Sequence, residues 1–299
     1  MKIVITGGSG FIGTHLSNYL KKDHDITVFD RNRPPNSEVN YVEGDIIDSS
    51  QVKKTLEGCE VVIHLAAAVG VEITENDPIL TLNINIFGTK NVLDACVQNG
   101  VQKIIFASSS EIYGEPFKVP IDEISPLMPI TNYGVSKIAA EEFIEAYSKV
   151  HGIKYSVLRF FNVYGPGQST DFVIPEFVNN AIIDKPITIH GSGSQVRAFC
   201  HVDDISNGIS LCIKKGDNEV FNIGNGTEPI SITDLAKKVV ELTNSKSEIK
   251  FIPFEDSERK RRKEIFKRIP SIGKAKKLLG YEPRISLNEG IMSVFSKKN

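Results

Sequence analysis

At 299 residues, with 40% hydrophobic and 24% charged side chains, the chain is long and apolar enough to bury a large core, which excludes a disordered protein. A formal net charge of -2 gives no broad attraction to nucleic acid or to an anionic membrane, so an anionic ligand must be bound locally. No apolar run reaches the roughly 20 residues of a membrane helix, and the amino terminus enters an apolar strand at Lys2 without a secretory h-region, so the expectation is a soluble, cytoplasmic protein. Cys59, Cys96, Cys200 and Cys212 lie too far apart for zinc spacing or a small disulfide framework and read as buried free thiols.

In chain order, Ile3–Ile5, Ile26–Phe29, Val61–Leu65, Ile104–Ala107 and Tyr155–Leu158 are short β-branched or apolar runs that predict buried strands. The stretch after Gly10 and those near 85–99 and 133–151 carry helical spacing between them. Continuous apolar strands separated by helices predict an α/β, Rossmann-type doubly wound parallel sheet. Past residue 165, Gly165-Pro166-Gly167, Gly191-Ser192-Gly193 and Gly224-Asn225-Gly226 punctuate shorter elements, predicting a domain over 1–165 and a smaller α/β lobe over 166–299. The charge run Glu258 to Glu264 reads as a solvated loop.

The first strand runs directly into Thr6-Gly7-Gly8-Ser9-Gly10-Phe11-Ile12-Gly13. Gly7 permits a tight turn, Gly10 a close approach of backbone to a pyrophosphate, and Gly13 close packing of the following helix, whose N-terminus faces the anion. Asp30, at the end of the second strand, stands where a carboxylate accepts hydrogen bonds from both ribose hydroxyls of NAD. Arg31 and Arg33 beside it offer the alternative of an NADP 2′-phosphate, which Asp30 would repel.

Tyr133 and Lys137 are four residues apart and share a helix face. An ammonium beside a phenol favours phenolate, so the pair can take a hydroxyl proton while hydride leaves the carbon. The serine run Ser108-Ser109-Ser110 follows the Ile104–Ala107 strand, at the strand ends where ligands of an open parallel sheet bind.

Taken with Gly44-Asp45-Ile46, His64-Leu65-Ala66-Ala67, Asn85, Arg159 to Pro166 and His201-Val202-Asp203-Asp204, these motifs resemble the extended short-chain dehydrogenase/reductases, specifically the nucleotide-sugar epimerase/dehydratase family, over nearly the whole chain. The resemblance implies NAD as cofactor and a nucleotide-diphosphate sugar as substrate. It implies Ser109, Tyr133 and Lys137 as catalytic residues, the last two also meeting the cofactor together with Gly7, Gly10, Phe11, Ile12, Gly13 and Asp30. Asp45 and Ile46 would contact adenine, Leu65 and Ala66 would line the cofactor groove, and Phe161 would sit beside nicotinamide. For the substrate it nominates Asn162, Arg197 and Arg261, whose guanidinium forks suit phosphate oxygens, and backbone recognition of the base near Thr188-Ile189. The family's usual Arg-Pro-Gly-Asp reads Arg261-Arg262-Lys263-Glu264 here, which leaves that register open. The resemblance also implies a homodimer through the helices near 85–99 and 133–151.

Members share oxidation of sugar C4 and differ in the fate of the resulting 4-keto sugar. Glu111, two residues beyond Ser109, is a glutamate that the 4,6-dehydratases and UDP-glucuronate decarboxylases carry, and Arg268 resembles the decarboxylase arginine that faces a sugar carboxylate. Gly165-Pro166-Gly167-Gln168 resembles epimerases instead. The leading expectation is a UDP-hexose 4-epimerase; a 4,6-dehydratase or a UDP-glucuronate decarboxylase using Glu111 stays open. An NAD-sensing protein without activity is the remaining rival, opposed by the filled Ser109, Tyr133 and Lys137 positions.

Overall fold

The computed structural model describes residues 1–35, 38–70, 74, 76–253 and 265–296. The first half alternates strand and helix: β1 (Lys2–Thr6), α1 (Phe11–Leu20), β2 (Asp25–Asp30), β3 (Asn40–Glu43), α2 (Ser49–Thr55), β4 (Val61–His64), α3 (Pro78–Leu82), a π-helical turn (Asn83–Phe87), α4 (Gly88–Asn99), β5 (Lys103–Ser109), α5 (Asn132–His151) and β6 (Lys154–Phe160). The rest comprises β7 (Val163–Tyr164), α6 (Val173–Ile182), β8 (Ile187–His190), β9 (Val196–Ala198), β10 (Cys200–His201), α7 (Val202–Lys214), β11 (Glu219–Ile223), β12 (Pro229–Ser231), α8 (Ile232–Thr243), β13 (Ile249–Ile252), β14 (Lys267–Arg268), α9 (Gly273–Leu279) and α10 (Leu287–Ser296).

A seven-stranded parallel sheet in the order β11-β6-β5-β4-β1-β2-β3 forms the centre. The apolar runs are continuous because both faces are covered. Ile3 and Ile5 of β1 and Val61 and Ile63 of β4 enter one core, while Val4 and Val62 enter the core on the opposite face. Strand order reverses between β1 and β4, which opens a crevice at their carboxyl ends.

The lobe holds a third core, in which α6, α8 and α10 pack around Ile187, Ile189 and Phe199. Its division at residue 165 is not a clean cut in the chain. After building β7 to β10, the chain returns to the large sheet: α7 packs on α1, and β11 pairs with β6 as the seventh strand. The sheet's two outer strands, β3 and β11, also carry no clear signal in the sequence. β3 is an edge strand whose residues are largely exposed, so it lacks the apolar run that marks the inner strands.

Candidate active site

The glycine turn stands on one side of the crevice and the end of β4 on the other. Gly7 has φ of +70°, and a Cβ there would lie 2.6 Å from the backbone nitrogen of Ala66. The turn and the Leu65-Ala66 segment are therefore in direct backbone contact, reinforced by the Leu65 N–H donating to the Thr6 carbonyl at 3.0 Å. The close packing at Gly13 is against the turn itself: a Cβ there would fall 2.5 Å from Gly8 Cα. Helix α1 starts at Phe11 with no side-chain cap and no acid in its first turn, so the amides around Phe11 and Ile12 keep their capacity for an anion.

Asp30 closes the end of this groove. Its carboxylate accepts from the Ser9 N–H and the Asn32 N–H, both at 3.0 Å, which ties the glycine turn to β2 and leaves further lone pairs for hydroxyl donors. Gly44 donates to the Asp30 carbonyl and brings Asp45 and Ile46 alongside. The Asp45 carboxylate accepts from the Ile47 N–H, and Ile46 is buried against Gly88 at the start of α4. A pyrophosphate cradle of bare backbone, uncapped helix amides and a ribose-facing carboxylate fit a dinucleotide.

Strand β5 decides which serine faces the crevice. Ser108 and Ser110 are buried; Ser108 donates to Glu141 beneath the sheet end, whereas Ser109 is half-exposed. Ser109 Oγ accepts the Glu111 N–H at 3.2 Å, capping the 3-10 turn Ser110–Tyr113. Below it, Arg159 grips Glu141 through two nitrogens, Nε–Oε1 at 3.2 Å and Nη2–Oε2 at 2.7 Å, and donates to the Tyr113 hydroxyl at 2.8 Å. Tyr113 in turn donates to Asn222 Oδ1, which carries the network to β11. This buried ion pair is fully hydrogen-bonded, the condition under which burial of charge is tolerated.

Tyr133 and Lys137 stand in the first turns of α5, started by the Thr131 hydroxyl, which accepts the Gly134 N–H at 3.0 Å. Lys137 is buried, donates to the Ala107 carbonyl at 2.8 Å, and has its ammonium 5.6 Å from the centre of the Tyr133 ring and 4.7 Å from that of Phe106. Burial pulls its pKa down to about 7, against the opposing charge of Glu141. Tyr133 departs from the sequence expectation. Burial and the Glu111 charge push its phenol above the ordinary tyrosine range, with the Ser109 hydroxyl acting the other way. The lysine is itself desolvated, so it does not supply the full exposed charge that the helical spacing alone suggests.

Residues without an assigned role in the sequence join the two halves of the site. Asn85, in the π-helical turn, accepts from the Ala68 N–H at 2.7 Å and donates to the Ala68 carbonyl and to Ser136 Oγ. Ser136 donates to the Tyr133 carbonyl at 2.7 Å. In the sequence Thr131 and Ser136 register only as an N-cap and a helix-internal hydroxyl, since their partners are distant along the chain.

The proposed substrate residues separate. Asn162, Ile189 and Arg197 line one cavity in the lobe with Glu176, Phe177 and Gln195. Ile189 turns its side chain into the lobe core, so only its backbone is suited to a ligand. Arg268 pairs in register with Arg197 across β14 and β9, and its Nη1 lies 3.8 Å from Glu111 Oε1, joining the lobe to the 3-10 turn that follows Ser109. Arg261 lies outside the described residues. Phe161 is fully buried among Ile112, Tyr113 and Ile121, so its side chain leaves no exposed surface for nicotinamide, whereas the next residue, Asn162, has φ of +39° and is half-buried.

Residues 3–224 match the model of the NAD dependent epimerase/dehydratase family. The chain is similar to the UDP-glucuronate 4-epimerase of Thermodesulfobacterium geofontis, 33% identical over 99% of this chain and 96% of the relative. UDP-glucuronic acid decarboxylase 1 of Xenopus tropicalis is also 33% identical, over 97% of this chain and 70% of that one. The crystal structure of the UDP-glucose 4-epimerase of Thermotoga maritima with UDP-glucose superposes with a TM-score of 0.93 at 34% identity, covering 100% of this chain and 99% of the other. With a glycine turn and Asp30 shaped for a dinucleotide and Ser109, Tyr133 and Lys137 at the adjacent strand end, the chain belongs to the NAD dependent epimerase/dehydratase family.

Proposed function

We propose that this NAD-dependent nucleotide-sugar enzyme is a UDP-hexose 4-epimerase. The observation that carries the choice among family reactions is the state of Glu111: Oε2 accepts from the Thr131 hydroxyl at 3.0 Å and Oε1 faces Arg268 at 3.8 Å. A carboxylate with one oxygen hydrogen-bonded to Thr131 and the other beside a guanidinium is a weakened base for the C5 proton that dehydration requires.

In this reading Gly7, Gly10, Gly13 and the amides at Phe11 and Ile12 hold the pyrophosphate, Asp30 the ribose hydroxyls, Asp45 and Ile46 the adenine, and Leu65 and Ala66 the groove wall. NAD, when bound, supplies the acceptor and donor of the hydride. Ser109 holds the C4 hydroxyl, and Tyr133 takes its proton as the phenolate, a form that a protonated Lys137 and the positive charge of an oxidised nicotinamide would favour against the burial and the Glu111 charge that raise the phenol. Asn162 and Arg197 hold the diphosphate, and the Ile189 backbone the base. After oxidation the ketone presents its other face and receives the hydride back, with Tyr133 returning the proton.

A second reading, a uronate substrate, is favoured by Arg268: its Nε is buried without an acceptor among the described residues, next to Glu111. A sugar carboxylate would satisfy it, and the Thermodesulfobacterium geofontis and Xenopus tropicalis relatives act on UDP-glucuronate by name. Incubation with UDP-glucose, UDP-galactose, UDP-glucuronate and the GDP- and dTDP-hexoses, with products followed by mass and chromatography, separates the cases. Interconversion of UDP-glucose and UDP-galactose at unchanged mass is expected; loss of water or of carbon dioxide overturns the 4-epimerase assignment.

We also propose a cytoplasmic homodimer. The four cysteines are free buried thiols, as in a reducing compartment, and α3 to α5 expose the large apolar side chains Ile79, Phe87, Val135 and Val150.

A further inference from the structure

We propose that Glu111 is a positioning residue, the hub through which strand β14 of the substrate lobe fixes the start of the helix that carries Tyr133. This rests on the proposed roles of Ser109 and Tyr133 in the 4-epimerase reaction. The backbone of Glu111 is fixed within the 3-10 turn that follows Ser109, and its carboxylate reaches two other elements of the site. Its N–H donates to Ser109 Oγ at 3.2 Å. Its carbonyl accepts the Gly114 N–H at 3.3 Å and packs close under Gly134, where a Cβ would approach it to 3.1 Å, so the first turn of α5 rests on the Glu111 backbone. Its carboxylate accepts a hydrogen bond from the Thr131 hydroxyl at 3.0 Å and faces the Arg268 guanidinium at 3.8 Å.

The Thr131 hydroxyl is the link that makes this more than a cluster. Its O–H donates a hydrogen bond to Glu111, while its lone pair accepts the Gly134 N–H at 3.0 Å as the N-cap of α5. A hydroxyl that donates to a carboxylate is polarised into a better acceptor, so the charge on Glu111 strengthens the cap. Tyr133 lies within the capped turn. At the other end Arg268 has a fixed base: β14 pairs with β9, and the next residue, Ile269, accepts the Ile121 N–H at 2.8 Å. The path from Arg268 through Glu111 and Thr131 therefore joins two elements that the chain separates by more than a hundred residues.

A general base and a positioning residue respond oppositely to a neutral isostere. Glutamine at 111 keeps an acceptor for Thr131 but cannot take a proton. Glu111→Gln is expected to lower kcat about 3-fold, and Glu111→Ala and Thr131→Val about 10-fold each, at nearly unchanged KM, with the Glu111→Ala/Thr131→Val double variant no worse than the poorer single one. The limb of the pH profile set by Tyr133 is expected to move to lower pH in Glu111→Gln, because the Glu111 charge is among the groups raising that phenol. If glutamine is as damaging as alanine, at about 100-fold or more, Glu111 is a base and the proposal fails.

Amide exchange gives a readout independent of turnover. Gly134 is expected to exchange faster in Glu111→Ala, Thr131→Val and Arg268→Met than in the parent, and unchanged exchange in Glu111→Ala overturns the proposal. A parent protein inactive on every sugar overturns the functional reading alone, and the exchange measurement still decides the role of Glu111.

Discussion

His64 shows how one residue can be read through its partners. Its Nδ1 lies 2.6 Å from Thr6 Oγ1 and its Nε2 3.0 Å from Thr89 Oγ1, and the Thr89 hydroxyl donates to the Asn85 carbonyl at 2.6 Å. Since Thr89 spends its proton on Asn85, it must accept from His64, which fixes the neutral Nε2–H tautomer with Nδ1 accepting from Thr6. Burial, with the nearby Lys137 charge, pulls the imidazole pKa from 6.5 down to about 3. Below pH 6.5 the unfolded chain binds a proton that the folded chain refuses, so stability falls as pH drops from 6.5 toward 3 and is level above 6.5. In urea unfolding between pH 7 and pH 4, the parent is expected to lose about 1 kcal/mol per pH unit more than His64→Asn. Parallel stability curves for the two proteins would show that His64 is not held neutral by the fold.

At the scale of elements, the glycine turn was legible because each glycine answers a local steric demand, and its spacing survives in the sequence. Gly13 permits a test in which the sign of the effect is informative. Replacing glycine by alanine inside a helix ordinarily gains about 1 kcal/mol. Here the added Cβ would meet Gly8 Cα at 2.5 Å and the Gly7 carbonyl at 2.6 Å, both backbone atoms that cannot rotate away. Gly13→Ala is therefore expected to destabilise by about 2–4 kcal/mol and to release NAD, checked by thermal unfolding and by cofactor retained after gel filtration. A stabilised variant that keeps its NAD would remove the close packing of α1 on the turn. The serine run was legible as a site, and strand alternation explains why Ser109 is the one that emerges. What stayed hidden depends on contacts made across the fold. The raised phenol of Tyr133 comes from burial and from Glu111, and the burial of Phe161 comes from the packing of Tyr113 and Ile121. Neither has a signature in spacing.

For the whole molecule, the doubly wound sheet was readable from its inner strands, whereas the return of β11 was not, because the chain builds β7 to β10 and α7 before β11 pairs with β6. That return matters for function. Asn222 on β11 joins the buried network under Ser108 through Tyr113, and its N–H donates to Glu123 Oε1 at 2.8 Å, so the lobe-bearing half of the chain is bolted to the floor of the catalytic crevice. The outer face of α3, the π-helical turn and α5 is less finished. Ile79 is 71% exposed, Phe87 55%, Val135 45% and Val150 73%, all on α3, the π-helical turn or α5, which pack against one another. A monomer would leave these side chains in water, and pairing the face with its own copy would remove them at about 25 cal/mol per Å². The protein is expected to sediment as a dimer. Phe87→Glu, which places a charge where the apolar face would close on itself, is expected to shift it to monomer while Asp30 and the glycine turn continue to retain NAD. A parent that sediments as a monomer at micromolar concentration, or a Phe87→Glu variant that remains dimeric, would move the interface away from α3–α5.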